Sequence, residues 1–482
     1  MKLSRIGALV AVGVLATAAC NAPSASGGGS TGKTIKVAID LPLQGSDKSA
    51  SDPIVNGVKL AVKEANAAGQ LNGYTLTVDP ILDDALNGAH DPQTGAKNMQ
   101  SAVSDPAIGA LIGPLNSSVA KAEIPITNAA GLLQCSPANT NEGLTKPEFG
   151  AKDVRKTNPD KINYIRVVTT DDKQGPAAAT FAIKTLGKKN AYVIDDTETF
   201  GKGIADNFIK EFQKEGGTVV ARDGAPKTTS DYTPLLTAAK AKNPDVVYFG
   251  GVTATGGGIV RKQMAQAGLG DVPFIGPDGI QDGTVESKGS FLNIAGPAAA
   301  GSYSSLAAIG DFPAKAEFVK KYAAEYPGLT ATGYSATGYS CAQVIIAAIK
   351  QATNGFSGDQ AALREAIRAA AVNPATNYDT ILGQIHFDQN GDTSQLIVSF
   401  YKAPDPLKGD WTFDSQIDFA QAAGGGASGS PAGGASASPA GGASASPAGG
   451  ASASPAGGAS ASPAASSSAS PAGGASASPS SS

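Results

Sequence analysis

Ile108-Gly109-Ala110-Leu111-Ile112-Gly113-Pro114-Leu115-Asn116-Ser117-Ser118 is followed within one helix length by Leu132-Leu133-Gln134-Cys135-Ser136-Pro137-Ala138-Asn139-Thr140. Each stretch is a strand that runs out into a loop of hydroxyls and amides, and a helical segment opens at Val119 between them. In an open α/β sheet, loops at the carboxyl ends of neighbouring parallel strands line the ligand crevice. Ser and Thr at such exits, beside the amides of a helix start, suit a small anion such as a carboxylate. Nothing else in the chain reads as a reaction centre. The pattern is that of a binding site.

The surrounding pattern extends this reading. Thr34–Ile39 is a strand and Leu41–Ser51 a loop. Asp52-Pro53 is expected to start a helix with Ile54, Val58, Ala61, Val62 and Ala65 on one face and Gly69 as its stop. A strand over Tyr74–Ile81 ends in Asp83-Asp84, and Asp91-Pro92 caps another helix. The strand–helix alternation to Thr140 implies a parallel sheet covered on both faces. A second series runs from Ala191–Ile194 to Pro273–Gly276, with helices over Gly203–Lys214, Tyr232–Ala241 and Gly257–Gln266. Helices over Ala314–Tyr326 and Tyr339–Ala352 follow, then two short strands around the Asn390-Gly391 turn. The expected fold class is α/β, with two doubly wound, Rossmann-like lobes facing each other across a cleft.

The ends of the chain differ from this body. Lys2 and Arg5 precede an apolar run from Ile6 to Leu15, and small residues lead to Cys20. That is an export signal, too short for a bilayer span of ~20 residues. Residues 21–33 are Ser/Gly-rich and read as a flexible tether. From Pro431 a Pro returns every eighth residue in a unit of Pro-Ala-Gly-Gly-Ala-Ser-Ala-Ser. The unit has no charge and no large apolar side chain, so it has nothing to bury and reads as disordered. With 37 Lys and Arg against 41 Asp and Glu, and no basic patch, nucleic acid is not an expected partner. Cys135 and Cys341 are an even pair that permits a disulfide in an exported protein, with free buried thiols the other reading.

Two motif matches fail on context. Gly27 to Thr34 spells a phosphate-binding loop, but that chemistry needs a strand before the loop and a helix after it, and here a strand follows. Ser118-Val119-Ala120-Lys121 matches a nucleophile box without the companion elements that box requires. His90 and His386 are the only histidines. Without clustered Cys or His ligands, neither a metal nor another cofactor is expected.

From Thr34 to about Phe413 the chain resembles the type I periplasmic binding proteins of the branched-chain amino-acid (Leu/Ile/Val) ABC-transporter family. The resemblance rests on Ile35-Lys36-Val37-Ala38, Asp83-Asp84 with Asp91-Pro92, Ile112-Gly113-Pro114 and Ser136-Pro137-Ala138-Asn139-Thr140. It continues through Arg166 with Gln174-Gly175, Asp231-Tyr232-Thr233 with Pro244-Asp245, and Gly276-Pro277-Asp278-Gly279. Cys20 and the residues before it resemble a bacterial lipoprotein signal. At matched positions the resemblance implies that Ser117 and Thr140 hold a ligand carboxylate. The Ala138 carbonyl, the Thr140 hydroxyl and Asp278 would hold its ammonium, with Asn139 in the same loop. Asp278 stands where that family has Glu. Phe200 and Tyr339 would wall the pocket, and Val252, where Tyr is also seen, would enlarge it. Plain capping by Ser117 and Thr140, turn-making by Asp278 and core filling by Tyr339 are the competing readings.

These readings divide the chain into a signal (1–20), a tether (21–33), a first lobe (34–168 and 306–382), a second lobe (169–305 and 383–415) and a tail (416–482). Hinge crossings are expected near Val168–Thr170, Tyr303–Ala307 and Thr380–Ile385. The resemblance implies a monomeric, lipid-anchored, extracytoplasmic binding protein that delivers an amino acid to an ABC permease complex at the membrane. A ligand that is an amide, urea or other small carboxylate is the alternative, as is a sensory role; an enzyme is not expected.

Overall fold

The computed structural model describes residues 33–422. The expected signal with Cys20, the tether up to Gly32 and the Pro-punctuated repeat lie outside the described residues.

Strand β1 (Lys33–Leu41) sends Ile35, Val37 and Ile39 into one core and Ala38 into a second core on its other face. A strand buried on both faces is the signature of a parallel sheet. Helix α1 (Lys48–Ala68) ends at Gly69, whose φ of 64° is left-handed. It starts ahead of the expected Asp52-Pro53, because the Ala50 and Ser51 amides both donate to the Asp47 carbonyl at 3.1 Å. Pro53 therefore lies inside the helix. After β2 (Tyr74–Asp83), helix α2 (Pro92–Ser104) is capped by Asp91, which accepts from the Thr94 amide at 2.7 Å. Strand β3 (Ile108–Ile112), helix α3 (Ser117–Ala130) and strands β4 (Leu133–Ser136) and β5 (Tyr164–Arg166) complete a parallel sheet of order β2-β1-β3-β4-β5.

The second lobe repeats that order. After α4 (Asp171–Thr180) come β6 (Asn190–Asp195), α5 (Thr199–Lys214), β7 (Thr218–Gly224), α6 (Thr233–Lys240), β8 (Val246–Gly250), α7 (Gly257–Gln266), β9 (Phe274–Gly276) and β10 (Ser302–Leu306). Strands β6 to β10 pair in parallel as β7-β6-β8-β9-β10. Helices α8 (Lys315–Glu325), α9 (Gly333–Ala352) and α10 (Gln360–Ala371) return to the first lobe, where Phe318, Ile345, Ile349, Leu363 and Ile367 join its core. The short hairpin β11 (Tyr378–Thr380) and β12 (Gly383–Ile385) follows. Strands β13 (Ile397–Lys402) and β14 (Thr412–Asp418) then extend the second sheet beyond β10 in antiparallel fashion.

The change of core marks the crossings. Val167 belongs to the first core and Val168 to the second, and Ala308 to the second and Phe312 to the first. The third crossing lies later than expected. Leu382, Ile385 and Phe387 pack in the first core, so the chain leaves that lobe only after Phe387, and residues 383–387 belong to the first lobe. The Asn390-Gly391 turn exists, with Phe387 bridged to Thr393, but its flanking strands do not pair with each other. Arg166 fixes it instead: its amide donates to the Gly391 carbonyl at 3.1 Å and its Nε to Asp392 at 2.7 Å. The folded body also passes the expected boundary at Ser415, since β14 runs to Asp418 and a helical turn spans Phe419–Ala422.

Cys135 on β4 and Cys341 on α9 are joined by a disulfide, with Cα atoms 5.9 Å apart. Both lie in the first core, so the bond ties together the two sequence-distant halves of one lobe. No helix among the described residues is long and apolar enough to cross a membrane.

Candidate functional site

Both sheets change direction of winding beside their first strands, and the loops that leave the strand ends there face one another. The cavity between them is lined from the first lobe by Asp47, Ala50, His90, Leu115, Asn116, Ser117, Ser118, Ala138, Thr140 and Tyr334. From the second lobe come Asp196, Glu198, Phe200, Val252, Asp278, Gly279 and Asp282. It encloses about 540 Å³, counting space open to solvent.

The first half-site is made by two stitched loops. Gly113 has φ 129°, and a Cβ there would meet the Asp40 carbonyl oxygen at 2.1 Å, so only glycine lets the chain leave β3 this way. The Ser136 hydroxyl accepts from the amides of Ala138 and Asn139 at 3.2 and 2.8 Å and donates to the Pro114 carbonyl at 3.2 Å. Asn139 donates to the Leu115 carbonyl at 2.7 Å and accepts from Tyr164 at 2.8 Å. Asn139 is thus a strut between the loops and does not line the cavity. Fully buried Arg166 holds the next turn, donating to the carbonyls of Asn139 and Asn141 at 3.2 and 2.8 Å.

Ser117 and Thr140 are left facing the cavity. Ser117 opens α3, where the first amides have no helical carbonyl to bond. Asn116 precedes it and makes no side-chain cap, and its Oδ1 is buried without a partner. The Thr140 hydroxyl is buried at the cavity, with the fully buried Asp171 carboxyl as its neighbour. The amides at the start of α3 and the Ser117, Ser118 and Thr140 hydroxyls can donate here, and with the helix N-terminus they form a pocket for an anionic group.

The second half-site has the opposite polarity. Asp278 follows β9 and accepts from Gln174 Nε2 at 2.9 Å. Burial pushes its carboxyl up to about 6, and the Gln174 and Tyr334 hydrogen bonds offset only part of that. Asp282 accepts from the Phe291 amide at 2.9 Å and from the Ser49 hydroxyl of the first lobe at 3.0 Å; burial pushes it to about 7. Asp196, at the end of β6, accepts from the Thr255 hydroxyl at 2.7 Å and is raised by burial to about 6. Phe200 and Val252 supply apolar wall on this side.

Tyr339 is placed elsewhere. Thr332 caps α9 with Ser335 in a reciprocal box, so the helix begins six residues before the expected start and Tyr339 falls in its second turn. Its hydroxyl donates to Glu64 and its ring packs edge-on against Phe318, with centroids 5.3 Å apart. Tyr334, on the first turn, lines the cavity in its stead. Sequence reasoning also missed Asp47, Ser49, His90, Asp196, Glu198 and Asp282. Asp195-Asp196 closes β6 as Asp83-Asp84 closes β2, a repeat that was open to notice. His90 is buried, with Nδ1 2.8 Å from Asp47 Oδ2.

Asp40, Asp84 and Glu123 form a separate buried group, with oxygens within 4.8 Å of one another. Burial raises all three carboxyls, and Asn98 and Gln134 donate to Asp40 and Glu123 at 2.9 and 2.6 Å. This group sits apart from the cavity lining.

The family profile described as periplasmic binding protein matches residues 34–402. A Leu/Ile/Val-binding protein homolog 2 of Brucella abortus is 30% identical over 368 residues, 76% of this chain and 90% of that protein. Among solved structures, the leucine binding protein LivK of Thermotoga maritima superposes with a TM-score of 0.67 at 24% identity, covering 80% of this chain and 99% of that one. LivJ of Streptococcus pneumoniae, in complex with isoleucine, gives a TM-score of 0.65 at 22% identity over 80% of this chain and all of that one. Two doubly wound lobes, a cleft at their strand ends and these matches agree: the chain belongs to the periplasmic binding protein family, among the solute-binding proteins of branched-chain amino-acid ABC-transporter type.

Proposed function

We propose that the protein captures an amino acid or a related small zwitterion outside the cytoplasm and presents it, as a monomer, to an ABC permease. The observation that carries this reading is the polarity of the two half-sites. Amides and hydroxyls at Ser117, Ser118 and Thr140 suit a carboxylate, while Asp278 on the other lobe suits an ammonium. A ligand gripped by both lobes makes contacts in the closed form that the open form lacks, so binding favours closure. The relatives' names, Leu/Ile/Val-binding and leucine binding, support an amino-acid cargo. A lipid on Cys20 would keep the protein beside its transporter, and the mass of the mature N-terminus tests that part.

Isothermal titration of the full chain against amino acids, amides and simple carboxylates tests the main claim. Saturable binding that needs both the amino and the carboxylate group is the expected result. Equal binding of an amide or of a carboxylate without an amino group would set the zwitterion reading aside.

A further inference from the structure

The cavity gathers more carboxyl groups than one amino acid can answer. Five acids line it: Asp47, Asp196, Glu198, Asp278 and Asp282. Two of them have cationic partners inside the protein. Asp47 faces His90 at 2.8 Å, and Glu198 faces Lys227 at 3.3 Å. Asp196, Asp278 and Asp282 are bonded only by neutral groups: Thr255 and the Glu198 amide; Gln174 and Tyr334; Ser49 and the Phe291 amide. All three are almost fully buried. His90 is the cationic group felt most by Asp196, but its ring is engaged with Asp47.

A single α-ammonium compensates one of these three carboxylates. An aliphatic side chain would then seal the other two against hydrocarbon, which is costly for a carboxylate without a charge partner. On the opposite side the buried Asn116 Oδ1 has no hydrogen-bond partner and still awaits a donor from a ligand. Resting on the amino-acid reading above, we infer that the cargo is a short diamino carboxylic acid whose second ammonium is received by Asp282 and Asp196. Phe200, Val252 and Tyr334 supply wall around it.

Titration of the full chain at neutral pH with L-2,4-diaminobutyrate, L-ornithine, L-leucine and putrescine tests this. One of the two diamino acids should bind at least ten-fold more tightly than leucine. Asp282→Asn and Asp196→Asn should each shrink that ratio. A merely structural defect would weaken both kinds of ligand in proportion and leave the ratio unmoved, which would overturn the assignment of these two acids. Leucine binding as tightly as the diamino acids would refute the inference and leave the amino-acid reading standing. Binding of putrescine, which has no carboxylate, without binding of any amino acid would overturn both.

Discussion

The Tyr334 hydroxyl, on the first lobe, donates to the main-chain carbonyl of Asp278, on the second, at 3.1 Å. Asp278 also carries the negative half-site, so the same residue takes part in closing the cleft and in filling it. Ser49 makes the parallel contact to Asp282 at 3.0 Å. The two acids nearest the first lobe are therefore each tied to it by one neutral hydroxyl. The Asp278 carboxylate itself is held by Gln174 and that of Asp282 by Ser49 and the Phe291 amide, neutral donors that leave the charge for a ligand.

Tyr334→Phe should isolate the contribution of closure. It keeps the ring that walls the cavity and deletes one cross-lobe hydrogen bond, a loss of about 0.5–1.5 kcal/mol. Ligand affinity should fall several-fold, read by titration, with the unliganded melting temperature nearly unchanged.

Ser117→Ala and Thr140→Ala should each weaken ligand binding by about 1–3 kcal/mol, because a buried carboxylate would lose a donor. Asp278→Asn should cost more for any ligand bearing an α-ammonium, since it removes the countercharge. Unchanged affinity in both alanine variants would remove the carboxylate assignment.

Stability of the empty protein should fall as pH rises. Burial lifts Asp196 and Asp278 to about 6 and Asp282 to about 7, from an ordinary value of 3.8. Between those limits the folded state holds protons that the unfolded chain has released, so stability is full near pH 4 and is lost through pH 6–7. The melting temperature should therefore rise on going from pH 7.5 to pH 5.5, by roughly 2–4 °C per kcal/mol. His90, raised by Asp47 against its own burial, acts in the same direction. A cationic ligand reverses the trend: it needs ionised acids, so it should bind more weakly below pH 6 and release protons on binding near pH 6–7.

Removing the Cys135–Cys341 bond by paired Ala substitution should lower stability by about 3–5 kcal/mol, since it closes a loop of 206 residues. Because the bond lies within one lobe, affinity at low temperature should change little. A large loss of affinity without loss of stability would contradict that placement.

The βα alternation and the two strand exits were legible because parallel strands buried on both faces read as apolar runs with turn residues at their ends. Ser117, Thr140 and Asp278 followed from that pattern and the family resemblance, and all three line the cavity. Tyr339 did not, because the Thr332–Ser335 cap shifts the start of α9 and hands the cavity position to Tyr334. The third crossing was placed too early, because Leu382, Ile385 and Phe387 stay in the first core. The Asn390-Gly391 turn was legible, but which strands pair around it is decided by distant contacts, here Arg166 with Asp392. The acids at Asp196 and Asp282 became visible only when two separate loops were brought to one cavity.

Closure around a guest is tested most directly by the distance between spin labels on Gln44 and Lys288. Both are exposed and lie near the lips of the cleft, where Gly289 approaches Ser46. Saturating L-2,4-diaminobutyrate, or whichever amino acid titration selects, should collapse a broad distribution in the empty protein to one short distance. A distribution that stays the same while calorimetry records binding would contradict the account.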